Sequence, residues 1–351
     1  MADITIRGAG IFGLSIAWVC ATRGARVQVI DPNGPGAGAS GGLVGALAPH
    51  VPENWNAKKA FQLDSLLMAK SFWDGVHAAG GVQPGYARTG RLQPIADERL
   101  LELAKTRAVE AETLWQGKAV WQVRPESDFP DWAPTSPTGF LIYDTLTARM
   151  SPRRAGAALV AAIQAKGGKI VTESPSEGAE VWATGWQGML ALSEELGKPV
   201  GNGVKGQSAL LDYDARDMPQ LFADTVHIIP HADGTVAIGS TSEREFDDPS
   251  SCDEALDQVI ARTRINGIVA NAGIDAVVPV TAGQRVVPVT AIQKIVAVLT
   301  AKRVVAFAAI DFVVAVTAEH HVVAGLAIDG VVARTTCDKV IAGAAINGVF
   351  A

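Results

Sequence analysis

The chain has 351 residues, of which 48% are hydrophobic and 19% are charged, and its formal net charge is −6. This composition excludes a disordered protein, and slight acidity without any basic block gives no indication of a nucleic-acid partner. The length is sufficient for one large core or two ordinary domains. No stretch approaches the 18 apolar residues of a membrane span.

The chain begins MADITIRGAG, which has neither the basic region nor the cleavage pattern of a secretory signal. Cys20, Cys252 and Cys337 lie far apart and are interpreted as buried apolar thiols in a reducing compartment. None of the six histidines stands at ligand spacing from Cys, Asp or Glu, so no metal site is predicted. These features together predict a soluble cytoplasmic protein.

The segment DITIRGAGIFGLSIAWVCATRGARVQVID predicts a strand–helix–strand unit. Ile4 and Ile6 alternate as in a strand, a helical run covers 14–22, and a second apolar strand covers 27–30. A GxGxxG pattern at 8–13 connects the first strand to the helix. This order is typical of a dinucleotide-binding unit.

Each position of the glycine-rich loop has a chemical reason. Gly8 permits the tight turn, Gly10 lets the backbone approach a pyrophosphate, and Gly13 lets the helix and strand pack closely. Ile11 and Phe12 belong to the loop that leads into the helix, whose N-terminus offers unpaired N–H groups and the positive end of the helix dipole to phosphate. These five residues are therefore candidate cofactor-binding residues.

An acidic residue closes the second strand. Asp31 stands 18 residues after Gly13, where a carboxylate can accept a hydrogen bond from a ribose 2′-OH. An acid at this position disfavours a 2′-phosphate and hence NADP. NAD and FAD both remain open at this point.

The next stretch, GPGAGASGGLVGALAPHVP, is a loop of small residues in which Ser40 can donate to a phosphate oxygen. Its letters GAS and GALAP resemble the GASxxxxGxLxP segment of the FAD-dependent D-amino-acid oxidase and glycine oxidase superfamily. The resemblance implies that Ala39 and Ser40 lie at the flavin's phosphates. It also implies that Gly45 and Leu47 belong to a backbone running near the isoalloxazine ring, and it selects FAD as the cofactor.

Further segments match this family in order. GYARTGRLQPI resembles the strand that opens its substrate domain, and YDTLTARMSPRRAG resembles a segment leading into a helix that Gly167-Gly168 would end. AEVWATGWQG resembles the second dinucleotide motif, in which Gly185 permits close approach to the cofactor. VKGQSALL and HIIPHADGTVAIG match a strand and a hairpin with Asp233-Gly234 at its turn.

Some aromatic and imidazole side chains need separate interpretations. His227 and His231 stand where tyrosine and arginine are common in the family, and we interpret both as exposed strand residues in preference to proton-transfer groups. Trp115, Trp121 and Trp132 are interpreted as core or rim aromatics.

The last part of the chain, 257–351, is an internal repeat of nine residues. Apolar pairs recur from Val259-Ile260 onward, each preceded two positions earlier by a polar residue. In an uninterrupted helix or strand, a period of nine residues would place successive apolar pairs on opposite faces. Each unit is therefore expected to break at its polar position. A meander, a stacked β-roll with two units per coil, and a duplicated DNA segment with little selected structure all remain open.

The repeat also stands where the resembled family carries a G-x-R-P arginine and a Gly-rich turn closing over the flavin. Neither is recognisable, because Arg285 of GQRVVP occupies the same repeat position as Lys294, Arg303 and Lys339. The resemblance therefore covers residues 4 to about 260.

The predicted fold class is α/β, with a Rossmann-like FAD-binding domain, a discontinuous α+β substrate domain and a C-terminal repeat of β structure. The predicted FAD-binding domain comprises 1–50 and 145–204, the substrate domain comprises 51–144 and 205–250, and the repeat segment comprises 257–351.

The resemblance implies an oxidoreductase that oxidises the C–N bond of a small amino acid or amine by hydride transfer to FAD, with oxygen or another electron acceptor as the second partner. Because the cofactor carries this chemistry, no acid–base pair is required. Catalytic residues stay unassigned; Tyr86, Arg88 and Arg91 are the available polar groups. The alternative is a non-catalytic or defective flavoprotein remnant whose repeat serves a binding or structural role.

Overall fold

The computed structural model describes residues 1–265 and the strands at 274–277, 285–286, 292–297, 303–306, 310–315, 321–324, 328–333, 339–342 and 349–350. The helices are α1 (Ile11–Thr22), α2 (Ala57–Gly80), α3 (Glu98–Leu114), α4 (Pro152–Ala165), α5 (Gly185–Glu195) and α6 (Glu254–Ile265). Short 3-10 helices cover Ala39–Gly41 and Glu126–Asp128. The strands before the repeat are β1 (Ile4–Arg7), β2 (Val27–Ile30), β3 (Ala46–Leu47), β4 (Arg91–Pro94), β5 (Trp121–Pro125), β6 (Phe140–Asp144), β7 (Ala148–Arg149), β8 (Lys169–Val171), β9 (Ala179–Trp182), β10 (Ser208–Asp212), β11 (Gln220–Ala223), β12 (Val226–Pro230) and β13 (Thr235–Gly239). The strands of the repeat are β14 (Ile274–Val277), β15 (Arg285–Val286), β16 (Ile292–Ala297), β17 (Arg303–Ala306), β18 (Ile310–Ala315), β19 (His321–Ala324), β20 (Ile328–Ala333), β21 (Lys339–Ala342) and β22 (Val349–Phe350).

The described residues form two compact units. Unit 1 comprises Met1–Arg91, Arg99–Val123 and Ile142–Val204. Unit 2 comprises Leu92–Glu98, Arg124–Leu141 and the described residues from Lys205 onward. The assignment of cofactor and substrate domains made from the sequence stays a prediction.

Unit 1 is built on a four-stranded parallel sheet in the order β8-β2-β1-β9. In β1, Ile4 pairs with Val27 on one side and with Ala179 on the other. All four residues of β2 are buried, as expected for a parallel strand with both faces covered. The predicted strand–helix–strand order is confirmed, although α1 begins at Ile11, three residues earlier than the apolar run suggested.

Helix α4 joins this sheet to the rest of the core through one apolar stripe. Its fully buried residues recur at helical spacing and are Ala155, Ala158, Leu159, Ala162 and Ile163. A Cβ on Gly80 of α2 would lie 2.6 Å from the backbone nitrogen of Ala162, so a glycine is required for this close helix packing. The helix ends as predicted, with Gly167 in the left-handed conformation at φ +80°.

A second apolar cluster of unit 1 contains two tryptophans. Trp115 and Trp121 are 0% and 2% exposed and meet edge to face with ring centroids 6.0 Å apart. In unit 2, Trp132 is 5% exposed and its indole N–H donates to the carbonyl of Pro219 at 2.8 Å. The interpretation of these three residues as core aromatics is confirmed.

In unit 2, β10, β13, β12 and β11 are neighbours in that order in one sheet. The predicted hairpin is β12 and β13, and Gly234 takes φ +87° at its turn. The interpretation of His231 as exposed is wrong, because it lies where two buried strands converge on the turn and is 4% exposed. His227 is half-buried.

The strands of the repeat pair in parallel with strands two units away. One sheet aligns Ile274, Ile292, Ile310 and Ile328 in register. A second sheet aligns Arg285, Arg303, His321 and Lys339 in the same way. Strands two units apart are therefore neighbours in the same sheet.

Two remaining expectations concern thiols and membranes. Cys20 and Cys252 are only half-buried, so the expectation of burial is wrong for both, and Cys337 lies outside the described residues. Within the described part of the chain, every helix is too short or too polar to cross a bilayer.

Candidate functional site

The three glycines of the loop between β1 and α1 differ in the space around them. Gly8 takes φ +105°, and a Cβ there would overlap the carbonyl oxygen of Ala183, which follows β9. A Cβ on Gly13 would overlap the carbonyl oxygen of Gly8. At Gly10, by contrast, the described atoms within 4 Å of such a Cβ belong to Ser40 alone, the nearer being Oγ at 3.1 Å. The fold therefore requires Gly8 and Gly13, while the space in front of Gly10 is open.

Helix α1 begins at this open space. Gly10 is the N-cap in an extended conformation and has no side chain that could cap the helix, whose first turn contains no acid. The first N–H groups of a helix have no partner inside it. The side chain of Phe12, in that first turn, is 78% exposed. A helix N-terminus that begins at a glycine and has no acid in its first turn favours an anionic group.

Ser40 contacts this helix end from the next loop. Its hydroxyl accepts a hydrogen bond from the Ile11 backbone N–H at 2.9 Å, which leaves the hydroxyl proton able to donate. Ser40 lies with Ala39 in the short 3-10 helix Ala39–Gly41. The structure thus brings the GAS segment to the GxGxxG loop.

Asp31 is also joined to the glycine-rich loop. One carboxylate oxygen accepts from the Ala9 N–H at 2.8 Å, and the other accepts from the Asn33 N–H at 3.0 Å. The side chain is half-buried. Because each carboxylate oxygen can accept two hydrogen bonds, Asp31 can position the loop and still accept from a ligand hydroxyl.

The second glycine-rich loop follows β9 and meets the first. Ala183 donates its N–H to the carbonyl of Arg7 at 2.8 Å, which continues the pairing of β9 with β1. Gly185 takes φ +63°, and a Cβ there would meet just one described atom within 4 Å, Oε1 of Gln187 at 3.6 Å. The glycine is therefore needed for its conformation, since the protein itself leaves space at this position.

The GALAP segment is held by β7. Gly45 accepts from the Met150 N–H at 2.8 Å, and Leu47 pairs with Ala148 in the β3–β7 ladder. On the other side of β7, Ala87 and Arg149 exchange two backbone hydrogen bonds at 2.8 and 3.2 Å. The segment around residue 87 and the GALAP segment therefore flank the same short strand.

The three polar candidates of the GYARTGRL segment have different surroundings. Arg91 is buried and forms an ion pair with the fully buried Asp144 at 3.1 Å. Arg88 donates to the backbone carbonyls of Thr145 and Lys118. The hydroxyl of Tyr86 is buried without a hydrogen-bond partner among the described residues, and burial raises its pKa. Tyr86 is therefore the group that remains available for a ligand.

Arg153 was missed by the sequence interpretation, although it stands in the PRR motif. It lies in the first turn of α4, and its guanidinium Nε donates to the carbonyl of Gly41 at 2.7 Å.

The described residues contain no group of three or more His, Cys, Asp or Glu that could hold a metal ion.

The parallel sheet, the glycine-rich loops after β1 and β9, and the acid after β2 form the arrangement that is typical of dinucleotide-binding α/β proteins. The chain belongs to the FAD dependent oxidoreductase (DAO) family, whose model matches residues 3–278. FAD is therefore the cofactor, and the resemblance inferred from the sequence is confirmed. The match extends beyond residue 260 into the first units of the repeat.

Solved structures share this fold. Glycine oxidase from Geobacillus kaustophilus is 19% identical with a TM-score of 0.57, over 70% of this chain and 73% of that one. Iminodiacetate oxidase from Chelativorans sp. BNC1 is 19% identical with a TM-score of 0.61, over 76% and 80%. L-proline dehydrogenase from P. horikoshii is 16% identical with a TM-score of 0.59, over 77% and 78%. No curated protein sequence matches the chain.

Proposed function

We propose that this protein oxidises the C–N bond of a small amino acid or amine, with oxygen or another acceptor taking the electrons from the flavin. The observation that carries the proposal is the fold shared with proteins named for glycine, iminodiacetate and L-proline. In each of these compounds a nitrogen is bonded to the carbon next to a carboxylate. When bound, FAD supplies the hydride acceptor, and the protein supplies binding and orientation.

The cofactor-binding residues in this proposal belong to three segments of unit 1. The loop from Gly8 to Gly13 receives the pyrophosphate at Gly10 and at the N–H groups of Ile11 and Phe12, and Ser40 donates its hydroxyl proton. Ala39 keeps a small side chain beside Ser40. Asp31 accepts from the ribose.

The ring side of the site is assigned to the two segments that flank β7. Gly45 and Leu47 present backbone on one side of that strand, and Tyr86 lies on the other. Gly185 leaves space after β9 for the cofactor. Because burial raises the pKa of Tyr86, its hydroxyl stays protonated at neutral pH and can donate to a substrate carboxylate.

A second candidate function is a non-catalytic flavoprotein whose repeat serves a binding or structural role. The observation in its favour is that the family match stops at residue 278, while the repeat continues to the end of the sequence given. In this alternative FAD binds but no amine reduces it.

Anaerobic reduction of the bound flavin separates the two functions. Purified holoprotein is mixed without oxygen with glycine, sarcosine, proline or a D-amino acid, and the flavin absorbance is followed. Bleaching by at least one amine, reversed by air or an added acceptor, supports the proposal. Acetate, which lacks nitrogen, is the control and should not bleach the flavin. Flavin that stays oxidised with every amine would support the non-catalytic alternative.

Replacing Asp31 by alanine should weaken FAD binding by about 1–3 kcal/mol, because a ribose hydroxyl and the Ala9 N–H both lose an acceptor. The affinity is measured by titrating apoprotein with FAD and following flavin fluorescence. Asp74→Ala is the control, since Asp74 forms an exposed pair with Lys70 on α2. Unchanged affinity of Asp31→Ala would contradict the assignment of this carboxylate.

A further inference from the structure

Two adjacent cations in the first turn of α4 differ in their surroundings. Arg154 is exposed. Arg153 is half-buried and donates through Nε to the carbonyl of Gly41 at 2.7 Å. Both follow Pro152 at the beginning of the helix, and the first turn contains no acid. The same turn therefore offers a test residue and a matched control.

The position of Arg153 is electrostatically unfavourable without an anion. A cation near the N-terminus of a helix opposes the helix dipole. Arg153 is half-buried, so its charge is partly removed from water, and this desolvation lowers the pKa of the guanidinium. In the described part of the chain, the hydrogen-bond partner of Arg153 is the Gly41 carbonyl, and no carboxylate forms an ion pair with it.

The loop that Arg153 contacts is the one that contacts helix α1. Gly41 follows Ser40 directly, and the Ser40 hydroxyl accepts from the Ile11 N–H at 2.9 Å. Hydrogen bonds therefore connect the N-terminal turns of α4 and α1 through the short helix Ala39–Gly41. The open space in front of Gly10 lies at the same junction, because Ser40 Oγ is the described atom nearest to a Cβ built on Gly10.

We propose that Arg153 is a positioning residue of the cofactor site, which holds the Ala39–Gly41 loop through Nε and supplies positive charge for the pyrophosphate of FAD. Its charge compensates an anion that the N-terminus of α1 also attracts. The role concerns cofactor binding and does not depend on the substrate. A failed amine oxidation test would therefore leave it intact.

The test measures binding to apoprotein rather than turnover. Arg153→Gln keeps a hydrogen-bond donor for Gly41 but removes the charge, and Arg153→Lys keeps the charge. We expect Arg153→Gln to weaken the binding of FAD, and of ADP as a competing probe, by about 10- to 100-fold. Its FAD affinity should also depend less on salt concentration than that of the wild type. Arg153→Lys should recover most of the affinity, and the control Arg154→Gln should stay within about twofold of the wild type.

Three results would overturn the proposal. The first is equal FAD affinity of Arg153→Gln and Arg154→Gln. The second is an equal loss in Arg153→Lys and Arg153→Gln, which would show that charge does not matter. The third is unchanged salt dependence in Arg153→Gln. The thermal melting temperature of each apoprotein is recorded, and if Arg153→Gln is unfolded, the Arg153→Lys variant decides by its affinity and its salt dependence.

Discussion

Replacing Gly10 by valine should leave the apoprotein folded and weaken FAD binding by about 100-fold or more, equivalent to about 2.7 kcal/mol. Gly10 has φ −77° in an extended conformation that valine adopts readily. The new Cβ would meet just Ser40 among the described residues, with Oγ at 3.1 Å, so a shift of a few tenths of an ångström accommodates it. The added side chain occupies the space assigned to the pyrophosphate. FAD titration and thermal melting of the apoprotein measure the two effects separately.

Gly13→Ala is the contrasting variant. Its Cβ would overlap the carbonyl oxygen of Gly8, which belongs to the backbone and cannot rotate away. We expect a loss of unfolding free energy of about 1–3 kcal/mol or more in the apoprotein itself. If Gly10→Val retained full flavin occupancy, or if both variants destabilised the apoprotein equally, the distinction between a ligand-facing and a fold-requiring glycine would be wrong.

Replacing Asp144 by alanine should lower the unfolding free energy by about 3–5 kcal/mol, because a buried charge loses its partner. Asp144 is 0% exposed, and its carboxylate accepts from the Arg91 Nε at 3.1 Å and from the Thr147 N–H at 2.7 Å. The substitution leaves the guanidinium of Arg91 buried and unpaired. Urea unfolding of the apoprotein, with the slope compared between variants, measures the change.

Two controls make this prediction specific. Asp74→Ala removes an exposed partner of Lys70 and should cost at most about 0.5 kcal/mol. The double variant Arg91→Met with Asp144→Leu should be more stable than Asp144→Ala, because no buried charge remains unpaired. A loss below about 1 kcal/mol in Asp144→Ala would show that Arg91 is not held by this pair and would return it to the candidates for substrate binding.

Several elements could be predicted from the sequence because short-range patterns determine them. The strand, glycine-rich loop and helix from Ile4 to Thr22 follow from alternation, from helical spacing and from steric demands of glycine. Gly167 follows the end of α4 and Gly234 lies at the turn of the β12–β13 hairpin, because each takes a positive φ angle. The GAS and GALAP motifs identified the family and its cofactor, although they did not predict which groups Ser40 and Gly45 contact.

The tertiary structure decided which groups of the candidate site meet. Asp31 and Ser40 bond to the glycine-rich loop, and Arg153 reaches Gly41 across 112 positions of sequence, a contact that no local pattern encodes. Long-range packing buried His231 and paired Arg91 with Asp144, so neither side chain has the exposed position that its polarity suggested.

In the repeat, too, one feature is visible in the sequence and another only in the folded chain. Its nine-residue period is visible in the letters, whereas the parallel pairing of Arg285 with Arg303, 18 residues apart, is a property of the folded chain. The physical reason is that hydrophobic periodicity and glycine sterics act within a few residues. Hydrogen bonds and ion pairs between distant segments form only where the fold brings their atoms within about 3 Å.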